Sequence, residues 1–177
     1  CIRDRHHLDF PGSMSASPRV YLDLLRDMAE NFLSHGFSRI VFVNGHGGNI
    51  VPAQQATFEL RQKYRKTAGQ LLLSTTYWTA GADPVRDIPG LKQEQMGHAC
   101  EWETSMMLRL TPMLVGELKN LALVEFGNAF EPATRGWITK DRTEPGHIGD
   151  PALATAEKGE ILFRLFTDDV VAFLERV

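Results

Sequence analysis

The sequence predicts an α/β fold with its strands running parallel. Two apolar β-type runs, Phe37 to Val43 and Leu71 to Trp78, flank an amphipathic helical pattern from Val51 to Arg65. Strand, helix and strand in that order form a right-handed crossover unit, which sets the two strands parallel. The glycine-rich stretch Asn44-Gly45-His46-Gly47-Gly48-Asn49 joins the first strand to the helix. In open α/β sheets, ligands bind just past the carboxyl ends of the strands, so this turn is the first candidate site.

The remaining elements follow in chain order. Ser17-Pro18 reads as a helix start, a capping side chain followed by proline at the first helical position. Tyr21, Leu24, Leu25, Met28 and Phe32 recur at three- and four-residue spacing and predict one buried face, and Gly36 ends the helix. In the second helix Ala53, Ala56, Leu60 and Tyr64 are expected to point inward. Thr79 to Met96 is rich in Gly, Pro and Asp and reads as a long loop; loops of that length are often lids or binding loops. From Glu101 the pattern is helical again, with Met106, Met107 and Leu110 expected to supply core contacts. Leu121 to Phe126 is strand-like. Ala152 to Val177 closes the chain as one helix with Leu162, Leu165, Phe166, Val170 and Phe173 inward.

Composition bounds the function. The 177 residues carry 43% hydrophobic residues and a net charge of −3, which gives no electrostatic case for nucleic acid or an anionic membrane. No apolar run reaches the roughly 20 residues needed to cross a bilayer, and the start lacks a signal-peptide pattern. Two cysteines, Cys1 and Cys100, do not make a disulfide framework. A cytoplasmic protein is expected. With no repeats, low-complexity tract or linker, residues 1–177 read as a single domain. The first residue is a cysteine that opens directly into a motif-like segment, so the chain is expected to be part of something longer.

Three stretches carry chemistry. His46 sits among three glycines and two asparagines, where its imidazole can meet a metal or a substrate. Arg3-Asp4-Arg5-His6-His7-Leu8-Asp9 precedes the turn signal Pro11-Gly12 and reads either as a site-lining loop or as a solvated one. Gly97-His98-Ala99-Cys100-Glu101-Trp102-Glu103-Thr104-Ser105 brings ionisable groups into an otherwise apolar helix, costly unless they are paired or metal-bound. His98 and Glu101 would share a helix face if the helix began early; His98 and Glu103 converge only if His98 lies in the preceding loop. The same acids also suit a helix N-terminus. Trp78 closes a strand, as a core residue or as a surface on which substrate stacks. His147, in an exposed-looking turn, reads as a surface residue.

These stretches together resemble the creatininase (creatinine amidohydrolase) family. His7-Leu8-Asp9-Phe10-Pro11-Gly12-Ser13 is similar to the family's histidine–Phe-Pro-Gly loop, Asn44 to Asn49 to its glycine loop, and Gly97 to Ser105 to its Gly-His-Ala-Gly-Glu-x-Glu-Thr-Ser element. Gly146-His147-Ile148-Gly149-Asp150-Pro151 through Glu157-Lys158-Gly159 matches its closing Gly-Asp-Pro stretch. The resemblance implies a three-layer α/β/α sandwich around a mostly parallel sheet, assembled as a homohexamer. It implies a binuclear zinc or manganese site that hydrolyses a carbon–nitrogen bond in a small-molecule amide, cyclic amide or formamide. By position, His46 would be a metal ligand and His98 the pocket base or proton shuttle. Glu101 or Glu103 would complete the metal shell or orient the attacking water, with Glu101 the candidate ligand and Glu103 the candidate catalytic carboxylate. His7 and Trp78 would face the substrate.

Two departures stand out. Creatininase has a glutamate ligand at the position of Gly48, so that ligand has to come from elsewhere. The family's opening segment, which supplies a Glu-x-His pair and a bridging aspartate, is absent, and those ligands are expected upstream of Cys1. Cys100 replaces a small glycine and is not expected to be a nucleophile. Within the family some relatives act on peptide precursors or on carbocyclic ketones. A metal-free binding or assembly subunit on the same fold is the rival reading. A phosphate cradle at the glycine loop is disfavoured, because no phosphate-loop lysine follows Gly48 and the dinucleotide glycine spacing is missing.

Overall fold

The computed structural model describes residues 5–81, 83–127 and 130–177; Cys1, Arg3 and Asp4 lie outside them. The chain is an α/β fold that divides into two compact units, one holding the chain as far as Ala80 together with Arg176–Val177, the other Gly81–Glu175.

In the first unit, helix α1 (Pro18–Ser34) leads to strand β1 (Arg39–Asn44), helix α2 (Ile50–Lys63) and strand β2 (Leu71–Thr76). The strands pair in parallel, Arg39 opposite Leu71 and Asn44 opposite Thr76, as the crossover pattern predicts. Ser17 caps α1 by accepting the Val20 amide at 3.3 Å, and the chain leaves the helix through Gly36 at a φ of +88°, a left-handed turn that glycine makes without strain.

The buried face of α1 is rotated from the one the spacing suggests: Leu25 is buried as expected and Tyr21 packs beside it, but the rest of the stripe differs. Leu22, Leu25 and Ala29 are buried, whereas Leu24, Met28 and Phe32 are exposed. The helix carries two apolar stripes. Leu22 and Leu25 pack on Ala53 and Ala56 of α2 with Tyr21 alongside, and Ala29 packs on Ile40 and Leu60. Small alanines on the facing helix leave room for Leu22 and Leu25, because the distance between packed helices depends on the side chains at the contact. On α2 the predicted face holds: Ala53, Ala56 and Leu60 are fully buried, with Tyr64 packed beside them.

The second unit opens with a short helix α3 (Pro84–Asp87), then irregular chain up to α4 (Glu101–Leu110) and, at its end, α5 (Ala156–Glu175). The face α4 buries is again rotated from expectation: Glu101, Trp102, Thr104 and Ser105 are buried, while Met107 and Leu110 are exposed. The reason lies in α5, where Gly159 sits against the Ser105 carbonyl so closely that no side chain fits there. Backbones that near each other accept only small or hydrogen-bonded residues between them. The α5 core face is as predicted, with Leu162 and Phe166 buried and Trp102 set against Phe166, ring centroids 6.2 Å apart.

Leu121 to Phe126 does not form a strand; it makes one antiparallel bridge, Val124 with Gly149. Gly149 has a φ of +115°, outside the extended range, so pairing cannot propagate past it. Among the described residues no helix is long and apolar enough to cross a membrane.

Candidate functional site

In the first unit, β1 ends at the buried Asn44, and this side chain shapes the glycine loop. Its Nδ2 donates to the His46 carbonyl at 2.7 Å and its Oδ1 accepts the His46 amide at 3.1 Å. The pair of bonds sets the backbone from which the imidazole projects. A 3-10 turn at Gly47–Asn49 then runs directly into α2, with the Asn49 amide donating to the His46 carbonyl at 3.1 Å. Asn49 Oδ1 is shielded from solvent and accepts no hydrogen bond among the described residues. Leaving such an atom unpaired costs about 1–3 kcal/mol, which a donor from a ligand would offset.

His7 is buried, and its ring centroid lies 5.7 Å from that of His46 with the planes tilted by 57°. Two residues singled out from separate parts of the sequence are therefore neighbours, and the Phe-Pro-Gly loop belongs with the glycine loop. Trp78 stands just past β2 in a 3-10 turn, half-buried and edge-on to Tyr77 at 4.9 Å.

In the second unit, α4 starts at Glu101 with Cys100 as its N-cap, so His98 lies in the preceding loop, the condition under which it can converge with Glu103. His98 is held by its backbone: it donates to the Ile148 carbonyl at 2.9 Å and accepts the Ile148 amide at 2.7 Å. Ala99, next in the chain, has a φ of +45°, a left-handed conformation that costs a non-glycine residue roughly 1–2 kcal/mol. Two side chains of the following helix hold it there. The Ala99 amide donates to Glu103 Oε2 at 2.6 Å, and the Ala99 carbonyl accepts the Thr104 hydroxyl at 3.0 Å. Backbone strain of this kind persists only where the surroundings over-determine it. Here it bends the chain between His98 and the helix, and it ties Glu103 to the residue beside His98.

Glu101 is fully buried, and its carboxylate is taken up by protein donors. Oε1 accepts the Lys158 ammonium at 2.6 Å; Oε2 accepts the backbone amides of Lys92 at 3.0 Å and Gln93 at 2.8 Å. Cys100 is also fully buried, and burial pushes its thiol up from the ordinary range. It is a packing residue held neutral, not a thiolate nucleophile. His147, expected at the surface, is buried with Nε2 at 2.8 Å from the Ala122 carbonyl. The turn around it is covered because Ile148 and Gly149 pair on either side, with His98 and Val124.

Two functional candidates escape a reading of the sequence. Gln93 lies in a polar loop and Lys158 in the closing motif, yet both meet the first turn of α4. The available signal was the cost of burying Glu101, which demands a partner without saying which.

Among the described residues no group of three or more His, Cys, Asp or Glu side chains is placed to hold a metal ion. A catalytic zinc site usually draws three ligands from protein. The described residues do not make a complete shell by themselves.

The creatininase (creatinine amidohydrolase) family pattern matches residues 3–174, and the chain belongs to that family. It is 32% identical over 176 residues to a mycofactocin precursor peptide peptidase of Mycolicibacterium smegmatis, covering 97% of this chain and 61% of that protein. To a creatinine amidohydrolase of Pseudomonas putida it is 27% identical over 164 residues, covering 88% of this chain and 62% of that protein. A solved manganese creatininase superposes with a TM-score of 0.74 at 25% identity, covering 94% of this chain and 67% of that one. The chain thus spans about three fifths of the length of the curated relatives it matches.

Proposed function

We propose that the full-length protein is a hydrolase that uses water to cleave an amide-type carbon–nitrogen bond in a small molecule or short peptide. The observation that supports it best is the strained turn at Ala99, whose amide donates one short hydrogen bond to Glu103 and so ties that carboxylate to the residue after His98. Peptidase and amidohydrolase relatives both cleave amide-type bonds, and the turn lies in a motif already singled out for its ionisable groups.

In this reading His98 moves a proton. An imidazole titrates near neutrality, which suits it to take a proton from water and return it to a leaving nitrogen. Glu103 holds the backbone beside His98 and presents a carboxylate to orient the water. His7 and Trp78 contact substrate, the first through its ring nitrogens and the second by stacking. His46 is the residue of this chain proposed to ligate divalent manganese or zinc. The remaining ligands would come from residues other than those described. A homohexamer in the cytoplasm is proposed with it, and light scattering of the purified protein measures the assembly.

The experiment is a panel of creatinine, formamides and short peptides offered to the full-length protein, with release of amine as the readout. Turnover of one class, lowered by about 10²- to 10⁴-fold in His98→Ala as expected for a lost acid–base group, supports the reading. No turnover of any amide, or an unaffected His98→Ala variant, overturns it in favour of a binding subunit.

A further inference from the structure

One fully buried charge, Glu101, has no part in that chemistry, and its surroundings give it another. Its carboxylate joins three pieces of chain: the loop at Lys92 and Gln93, the first turn of α4, and Lys158 at the start of α5. Lys158 is itself anchored, donating to the Leu153 carbonyl at 2.8 Å. Gln93 completes the junction. Its side-chain oxygen accepts the amides of Glu101 and Asp150, both at 3.2 Å, its Nε2 donates to the Gln95 carbonyl at 2.7 Å, and its own carbonyl accepts the Trp102 indole at 3.0 Å.

The segment between these fixed points is 96–100, and it contains His98 and the left-handed Ala99. A turn held in a disfavoured conformation has to be clamped at both ends. The Gln93–Glu101 contacts tie the two ends together, and the Ile148 pairing of His98 holds the middle. A cation at Glu101 would have to approach an ammonium 2.6 Å from the oxygen it needs. Like charges that close in a buried site repel strongly.

We propose that Glu101 is a positioning residue: paired with Lys158 and the Gln93 loop, it fixes the turn that presents His98 and Glu103, and it ligates no metal. The consequence for turnover rests on the hydrolase reading above; the consequence for the geometry of the turn does not.

The test uses the full-length protein with Glu101→Gln, Lys158→Met and Lys158→Arg. Three readouts apply: metal content by elemental analysis, amide hydrogen exchange, and kcat and KM on any substrate found. Expected are unchanged metal content in all three variants and exchange faster by about tenfold or more at residues 97–101 in Glu101→Gln and Lys158→Met. Exchange in α1 stays unchanged. The kcat falls by about 10- to 100-fold with KM moving much less, as misplacement of a catalytic group gives. Lys158→Arg retains most of the turnover.

Loss of metal from Glu101→Gln alone would make it a ligand and overturn the proposal, as would unaltered exchange at 97–101 in both uncharged variants. If Glu101→Gln does not fold, the two Lys158 variants decide the matter, since Lys158 cannot be a ligand while protonated. If the wild type hydrolyses no amide but exchange still rises at the turn, the hydrolase reading fails and the positioning role stands.

Discussion

Gly159 of α5 lies so close to Ser105 of α4 that a Cβ placed on it would overlap the Ser105 carbonyl. The contact involves backbone, which cannot swing aside as a long side chain can. It sets how closely the two helices approach and therefore which face of α4 is buried. Alanine is the better helix former by about 1 kcal/mol, but overpacking a tight contact costs about 1–3 kcal/mol, and the steric cost wins because both partners are helical backbone. Gly159→Ala is expected to lower unfolding stability by up to about 2 kcal/mol, the steric cost less the helix-propensity gain, measured by urea titration. Gly116→Ala, where a Cβ meets nothing within 4 Å, is the control and should stay within about 0.5 kcal/mol of wild type. Equal midpoints for the two variants would refute the close-contact argument.

That glycine also shows what the sequence could and could not disclose. The parallel strand order, the Ser17 cap and the inner face of α2 follow from local periodicity and capping chemistry, and they are present as read. The buried faces of α1 and α4 are rotated from those the periodicity suggests for one reason: each helix has more apolar residues than its buried side needs. The choice between stripes is made by the partner, Ala53 and Ala56 for α1 and Gly159 for α4, and periodicity on one helix carries no information about that. At the candidate site two of the motifs mark loops whose His7 and His46 rings are neighbours. The contacts that fix the 97–101 turn were not legible, because Gln93 and Lys158 reach it from 8 and 57 residues away along the chain.

Cys100 offers a test of burial at that turn. Its thiol is pushed up by loss of solvent, so at mildly alkaline pH it stays protonated and shielded, and alkylation requires opening of the fold. Labelling with iodoacetamide, followed at the Cys100 peptide by mass spectrometry to separate it from Cys1, should run on the order of 100-fold slower or more in native protein than in urea. Matching rates would mean that the α4 N-terminus opens freely, and the over-determined turn would be wrong.

Glu160 carries a pH dependence of known sign. Arg109 on α4 and Arg164 on α5 hold its carboxyl below the ordinary range. A group depressed in the folded state contributes stability above its unfolded pKa and loses it as pH falls through its folded pKa. The site is well exposed, so the effect is small. Glu160→Gln should be less stable than wild type at pH 7, and the gap should narrow at acid pH, below the ordinary carboxylate range, as the wild-type carboxylate becomes protonated. Urea midpoints at neutral and acid pH measure it; a gap that widens on acidification contradicts the assignment.

The proposed metal role of His46 makes a prediction distinct from that for Glu101. Asn44 fixes the His46 backbone through its amide and carbonyl, so the imidazole can be removed without unravelling the loop, whereas replacing Asn44 disturbs the loop itself. In the full-length protein, His46→Ala should weaken manganese or zinc binding by more than the roughly 10- to 100-fold that replacing an outer-shell partner costs. His7→Phe keeps a ring packed beside His46 and should leave binding within about tenfold of wild type. Titration of metal-free protein followed by calorimetry distinguishes the two. If His7→Phe loses the ion as completely as His46→Ala does, both imidazoles are ligands and His7 moves from the substrate side of the site to the metal side.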